Sequence, residues 1–191
     1  MKARDIPNLI SILRILLVAP TVYYLLNESY LAALVLFFVA GASDGIDGFL
    51  ARYYRWQSRL GAILDPIGDK LLLMSCYLTL GWLGHIPLTL VILILLRDVI
   101  IVSGAVFYHV YIEEVRISPV MISKLNTLLQ IMLVVLVLFG FSKLAFSEMV
   151  TPYMIDIFIW LVYVTTIASG IAYVWLWGRR AMTQTRKREN G

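Results

Sequence analysis

Four aspartates standing inside apolar sequence constrain this chain more than any other feature. Asp44, Asp47, Asp65 and Asp69 fall within residues 43–70, SDGIDGFLARYYRWQSRLGAILDPIGDK, between two long hydrophobic runs. A carboxylate near hydrocarbon is expensive, and it persists where it lines a polar cavity, pairs with another group or holds a cation. The question the sequence poses is what these four hold.

The surroundings are membrane-like. Of the 191 residues, 61% are hydrophobic and 15% charged, and the mean hydropathy is +0.85. That is too apolar for a soluble domain of this size and predicts an all-α polytopic membrane protein. The net charge of +4 reads as charge at a lipid surface. Without a basic–aromatic stripe on a soluble module, no nucleic-acid partner is expected. The single cysteine, Cys76, permits no intrachain disulfide and reads as a buried small hydrophobe. MKARDIPN runs straight into the first apolar stretch with no A-x-A-like cleavage site, so residue 1 is read as a mature start.

The apolar runs predict six spanning helices in one domain covering 1–191: about 9–26, 30–55, 60–83, 87–111, 121–142 and 152–177. Residues 1–8 are expected along the headgroups and the basic tail 179–191 frayed. Lysines and arginines concentrate at the N-terminus, the 52–59 loop, the 113–124 loop and the tail. The positive-inside rule then puts both termini and the four aspartates on the cytoplasmic side.

Asp44 and Asp47 are spaced i, i+3, and Asp65 and Asp69 i, i+4, so each pair shares one helix face. Asp44 lies about 21 Å along its helix from Tyr30, and Asp69 about 20 Å from Trp82. On adjacent antiparallel helices the pairs would meet at one level. Four facing carboxylates cannot all ionise unaided. Two divalent cations about 4 Å apart would neutralise them, and oxygen-only ligation favours magnesium or manganese. The neighbours suit a nucleotide diphosphate. Gly48 and Gly61 open the helix backbones to a planar group, Arg52 offers a bidentate phosphate contact, and Ser58 a hydroxyl.

Asp44-x-x-Asp47-Gly48-x-x-Ala51-Arg52, eight residues, then Gly61-x-x-x-Asp65-x-x-x-Asp69 resembles the complete signature of the CDP-alcohol phosphotransferases. The six-helix layout is similar too, so the resemblance covers nearly the whole chain. It implies a metal-dependent homodimer in which an acceptor hydroxyl attacks the phosphorus of CDP-diacylglycerol and CMP leaves. By that resemblance Asp44, Asp47, Asp65 and Asp69 are metal ligands, and Asp65 and Asp69 catalytic, with Asp69 the base. Asp47, Gly48, Ala51, Arg52, Ser58 and Gly61 surround the CDP.

Arg97-Asp98-Val99 and Ile122–Thr127 with Gln130 look most like the cardiolipin synthase branch, whose acceptor is phosphatidylglycerol. The alternative acceptor is glycerol 3-phosphate, as in the phosphatidylglycerophosphate synthases. Arg97 and Lys124 are the candidates for the acceptor's phosphate. A bacterial plasma membrane or a mitochondrial inner membrane is the implied location.

Blander readings stand beside these. Arg97 could pair internally with Asp98, Lys124 could anchor a helix end to headgroups, and Arg14 reads as a snorkelling side chain. His85 and His109 read as interfacial. A cation transporter is the rival of another class, but it needs polar residues across the bilayer midplane. Leu31–Ala40 and Leu71–Leu80 are almost wholly apolar.

Overall fold

The computed structural model describes residues 6–54, 59–111 and 121–189; within its helices, the side chains at 6–8, 44, 46–52, 59–66, 69, 105–111 and 177–189 lie outside the description. Among the described residues six α-helices follow one another: α1 (Ile6–Leu26), α2 (Tyr30–Tyr53), α3 (Arg59–Trp82), α4 (Leu88–Tyr111), α5 (Met121–Phe141) and α6 (Pro152–Glu189). A 3-10 turn, Ser147–Met149, precedes α6. Among the described residues there is no strand.

Among the described residues three segments are long and apolar enough to cross a membrane: Leu9–Leu26 in α1, Met121–Phe141, and Pro152–Leu176 in α6. In α2 the apolar segment among the described residues is Tyr30–Ser43. The protein is a membrane protein built from helices.

Helix ends fall close to the expected bounds, with one correction. The tail is not frayed: α6 runs on to Glu189. Past Gly178 the sequence RRAMTQTRKRE contains no proline or glycine and is rich in arginine, lysine, alanine, methionine and glutamine, all good helix formers. Nothing in it stops a helix already under way.

The chain divides into two compact units. The first comprises residues 1–88 and 134–155, hence α1, α2, α3 and the end of α5. Here α1 packs against both α2 and α3, and α2 touches α3. On α2 the buried positions are Tyr30, Ala33, Leu34, Phe37 and Ala40, a stripe of three- and four-residue steps. On α3 they are Gly68, Leu72, Cys76, Tyr77, Thr79 and Leu80. Small residues in these stripes let backbones approach closely, which is how helices associate where lipid removes the hydrophobic drive. Cys76 is buried, as expected. At Gly140 a methyl group would come within 3.1 Å of Val150 Cγ1, so glycine gives the segment before α6 a close approach to α5 that a larger residue would push apart.

The second unit comprises residues 89–133 and 156–191, hence α4, the start of α5 and most of α6. Its core is apolar at Leu90, Val91, Ile94, Leu133, Ile159 and Val162, but carries buried Arg97, Asn126, Gln130, Thr165, Thr166 and Ser169 as well.

Candidate active site

α2 and α3 are each 24 residues long, about 36 Å of helix. The five residues 54–58 that join them span at most about 20 Å. Two helices of that length, in contact and joined so briefly, run antiparallel. Counting from the shared turn, Asp47 lies six residues before Tyr53 and Asp65 six after Arg59, about 9 Å each. Asp44 and Asp69 lie nine and ten residues away, about 14 and 15 Å. The two pairs occupy matching levels.

Register places them on the right faces as well. Continuing the buried α2 stripe by steps of three and four from Phe37 and Ala40 reaches Asp44, Asp47, Gly48, Ala51 and Arg52. Running the α3 stripe back from Leu72 and Gly68 reaches Asp69, Asp65 and Gly61. These eight positions are helical, and their side chains lie outside the described residues; Ser58 lies outside them altogether.

The donor set suits hard divalent cations. Four carboxylates at two matched levels supply only oxygen, the preference of magnesium and manganese. Among the described residues no group of three or more histidine, cysteine, aspartate or glutamate side chains gathers elsewhere.

Arg14 was misjudged from sequence. It does not snorkel: it is 1% exposed on α1. Its Cδ would lie 3.5 Å, and its Nη1 3.9 Å, from a methyl group placed on Gly68, the residue before Asp69. A buried cation therefore sits against Gly68, the residue before Asp69 in the α3 acidic segment. The signal was present in the spacing. Ser11, Arg14 and Thr21, all buried, share one face of α1, and that polar stripe could not face lipid.

The acceptor candidates belong to the second unit. Arg97 is 7% exposed and heavily engaged. Its Nη1 donates to Asp98 Oδ1 at 2.7 Å in an ion pair. Its Nε and Nη2 both donate to Ser169 Oγ, at 3.2 and 2.8 Å, and Nη2 also donates to Ser123 Oγ. The Tyr173 ring centroid lies 6.0 Å from its guanidinium carbon. Arg97 thus ties α4 to α5 and α6. Lys124, next to Ser123, is exposed, so the Ser123 bond brings both candidates into one neighbourhood.

Further along the same α5 face, Asn126 Oδ1 accepts from Thr165 Oγ1 at 2.8 Å and Thr166 Oγ1 at 2.9 Å. Ser123, Asn126 and Gln130 at three- and four-residue steps make this a polar ladder facing α6.

Comparison with known proteins accords with the acidic signature. A mammalian cardiolipin synthase (CMP-forming), from Rattus norvegicus, is 38% identical over 146 residues, covering 68% of this chain and 48% of that protein. The chloroplastic CDP-diacylglycerol–glycerol-3-phosphate 3-phosphatidyltransferase 1 of Oryza sativa subsp. japonica is 33% identical over 186 residues, covering 88% and 56%. A cardiolipin synthase (CMP-forming)/mitochondrial hydrolase fusion protein of Schizosaccharomyces pombe is 34% identical over 188 residues, covering 88% and 30%. The chain spans about half the length of the first two relatives. Residues 4–176 match the model of one family, a range that takes in the whole acidic signature and all six helices except the end of α6. By that match, the chain belongs to the CDP-alcohol phosphatidyltransferase family.

Proposed function

We propose that the protein transfers a phosphatidyl group from CDP-diacylglycerol to a hydroxyl acceptor with release of CMP. The acceptor in this reading is phosphatidylglycerol, and the product cardiolipin. What supports it is helical register, by which the acidic signature continues the buried stripes of α2 and α3 at matched distances from their shared turn. The 38% identity to a cardiolipin synthase supports the choice of acceptor. Glycerol 3-phosphate is the second reading, favoured by the relative from rice.

In this mechanism Asp44, Asp47, Asp65 and Asp69 would hold two divalent cations, magnesium or manganese, which would supply positive charge against the pyrophosphate. Asp47, Gly48, Ala51, Arg52, Ser58 and Gly61 surround the CDP, with Arg52 on a phosphate. An aliphatic hydroxyl is a poor nucleophile at neutral pH, so a base within hydrogen-bond reach is needed. Asp69 takes the acceptor's proton as its oxygen attacks the phosphatidyl phosphorus. The bond from that phosphorus to the bridging pyrophosphate oxygen breaks, and CMP departs.

Arg97 keeps its helices in register, and Lys124 beside it meets the acceptor's phosphate. The chain forms one domain of six spans, with both termini and the acidic site on the cytoplasmic or matrix side, in a homodimer. Incubating purified protein with CDP-diacylglycerol and either phosphatidylglycerol or glycerol 3-phosphate, then identifying the lipid formed, tests the acceptor. Cardiolipin from the first mixture alone supports the main reading, and phosphatidylglycerophosphate from the second alone replaces it.

A further inference from the structure

At the end of α2 remote from the acidic motif, Tyr30 begins the helix fourteen residues before Asp44, about 21 Å away. Two cavities of the first unit open here, one of about 600 Å³ and one of about 280 Å³. Glu28, Tyr30, Phe141 and Lys143 line both. The larger continues along α2 over Leu31, Val35 and Leu36. Leu31 and Val35, one helical turn apart, are 42% and 52% exposed. The cavity therefore has a mouth of two opposite charges and an apolar wall.

The backbone at the mouth is unusual. Glu28 and Lys143 have φ of 55° and 57°, in the left-handed region. Glu28 closes α1: its N–H donates to Leu25 O at 2.9 Å, and that of Ser29 to Tyr24 O at 2.8 Å. This bond pattern ends helices with a left-handed residue that is usually glycine. Lys143 stands just past the end of α5. Charged side chains thus occupy two positions where glycine would be less strained, and both rim one cavity. Strain retained in this way marks functional sites. Among the described residues, neither side chain has a hydrogen bond or ion pair.

Tyr30, His85 and Phe141 form the fixed floor. Tyr30 Oη and His85 Nε2 are 2.7 Å apart, and the His85 and Phe141 ring centroids 4.2 Å.

We infer that this cavity binds one zwitterionic phospholipid from the leaflet opposite the acidic motif. Lys143 meets its phosphate, Glu28 its ammonium, and an acyl chain lies along Leu31 and Val35. Charge complementarity selects the headgroup: an anionic lipid without an amine would set its phosphate near Glu28 with nothing for that carboxylate to bind. The apolar wall selects a lipid over a soluble phosphoamine. The inference is independent of what the acidic motif catalyses.

The test is native mass spectrometry of the delipidated full chain, titrated with phosphatidylethanolamine, phosphatidic acid or soluble glycerophosphoethanolamine. The wild type should retain one phosphatidylethanolamine per chain about 10-fold more tightly than phosphatidic acid, the loss expected when one charge-assisted contact is absent. Glu28→Gln should abolish that preference, and Lys143→Gln should weaken retention of both lipids while leaving the preference in place. Glu28→Gly should raise the melting temperature, by relieving the left-handed strain, while also lowering retention. Equal retention of both lipids by the wild type, an unchanged preference in Glu28→Gln, or undiminished retention in Lys143→Gln overturns the inference. Competition by glycerophosphoethanolamine at lipid-like concentrations overturns the lipid assignment. All these variants should still release CMP in detergent, which separates a failure here from a failure of the catalytic reading.

Discussion

Arg14 of α1 lies against the backbone of Gly68 on α3, so that a methyl group there would sit 3.5 Å from its Cδ. That contact fixes a buried guanidinium next to the segment bearing Asp65 and Asp69. In a membrane interior a cation and an acidic cluster each need the other, and removing one leaves the other exposed to hydrocarbon.

Arg14→Ala should therefore cost more than its lost packing. The expected destabilisation is about 3 kcal/mol, the range for breaking buried charge interactions. CMP release should fall with it. Thermal unfolding in detergent with and without added magnesium checks this, and the variant should need more metal to reach the same melting temperature. Arg14→Lys should recover part of the stability, because it restores the charge but not the planar fork.

Gly68 makes a paired prediction. The 3.5 Å approaches of Arg14 Cδ and Ile15 Cγ1 are ordinary van der Waals contact, so Gly68→Ala fits. It should be neutral or stabilising by up to about 1 kcal/mol, from helix propensity. Gly68→Leu would have to displace Arg14 and should lower both stability and activity. Melting temperatures of the two variants decide the point.

Arg97 and Lys124 separate structure from substrate contact. Ser169→Ala removes the acceptor of two Arg97 bonds. It should destabilise by about 1–2 kcal/mol while leaving the KM for either substrate unchanged. Lys124→Ala should leave stability unchanged and raise the acceptor KM several-fold without moving that for CDP-diacylglycerol. Steady-state kinetics with each substrate varied in turn distinguishes the roles.

His85 gives a pH dependence. It lies in the turn between α3 and α4, and partial burial lowers its pKa below the ordinary 6.5, outweighing the opposing pull of Glu28. The folded chain thus holds it neutral more readily than the unfolded chain does. Its contribution to stability is complete above pH 6.5 and is lost as pH falls through the lowered value. The wild type should lose stability as the pH falls below 6.5; His85→Phe should show a shallower slope over the same range in thermal melts.

Much of this was legible in the sequence. The i, i+3 and i, i+4 spacings of the aspartates, with glycines between them, carry face and level by helical geometry alone, and the apolar runs mark the helices. Arg14 was not legible as a single residue, because a lone arginine near a basic terminus reads as snorkelling until Ser11 and Thr21 are placed on its face. The end of α6 was obscured for another reason. Basic composition suggests a solvated tail, whereas local propensity continues the helix. The charged residues at Glu28 and Lys143 look like ordinary turn polarity; only their left-handed backbone and the cavity between them set them apart.

The central claim is that the acids of α2 and α3 form one metal-dependent transfer site. CMP release from CDP-diacylglycerol by purified Asp69→Asn protein, assayed with saturating magnesium or manganese, tests it most directly. The account predicts at least about a 1,000-fold loss with the fold intact, since removal of the base and of a ligand act together. Turnover within a few-fold of the wild type would contradict it.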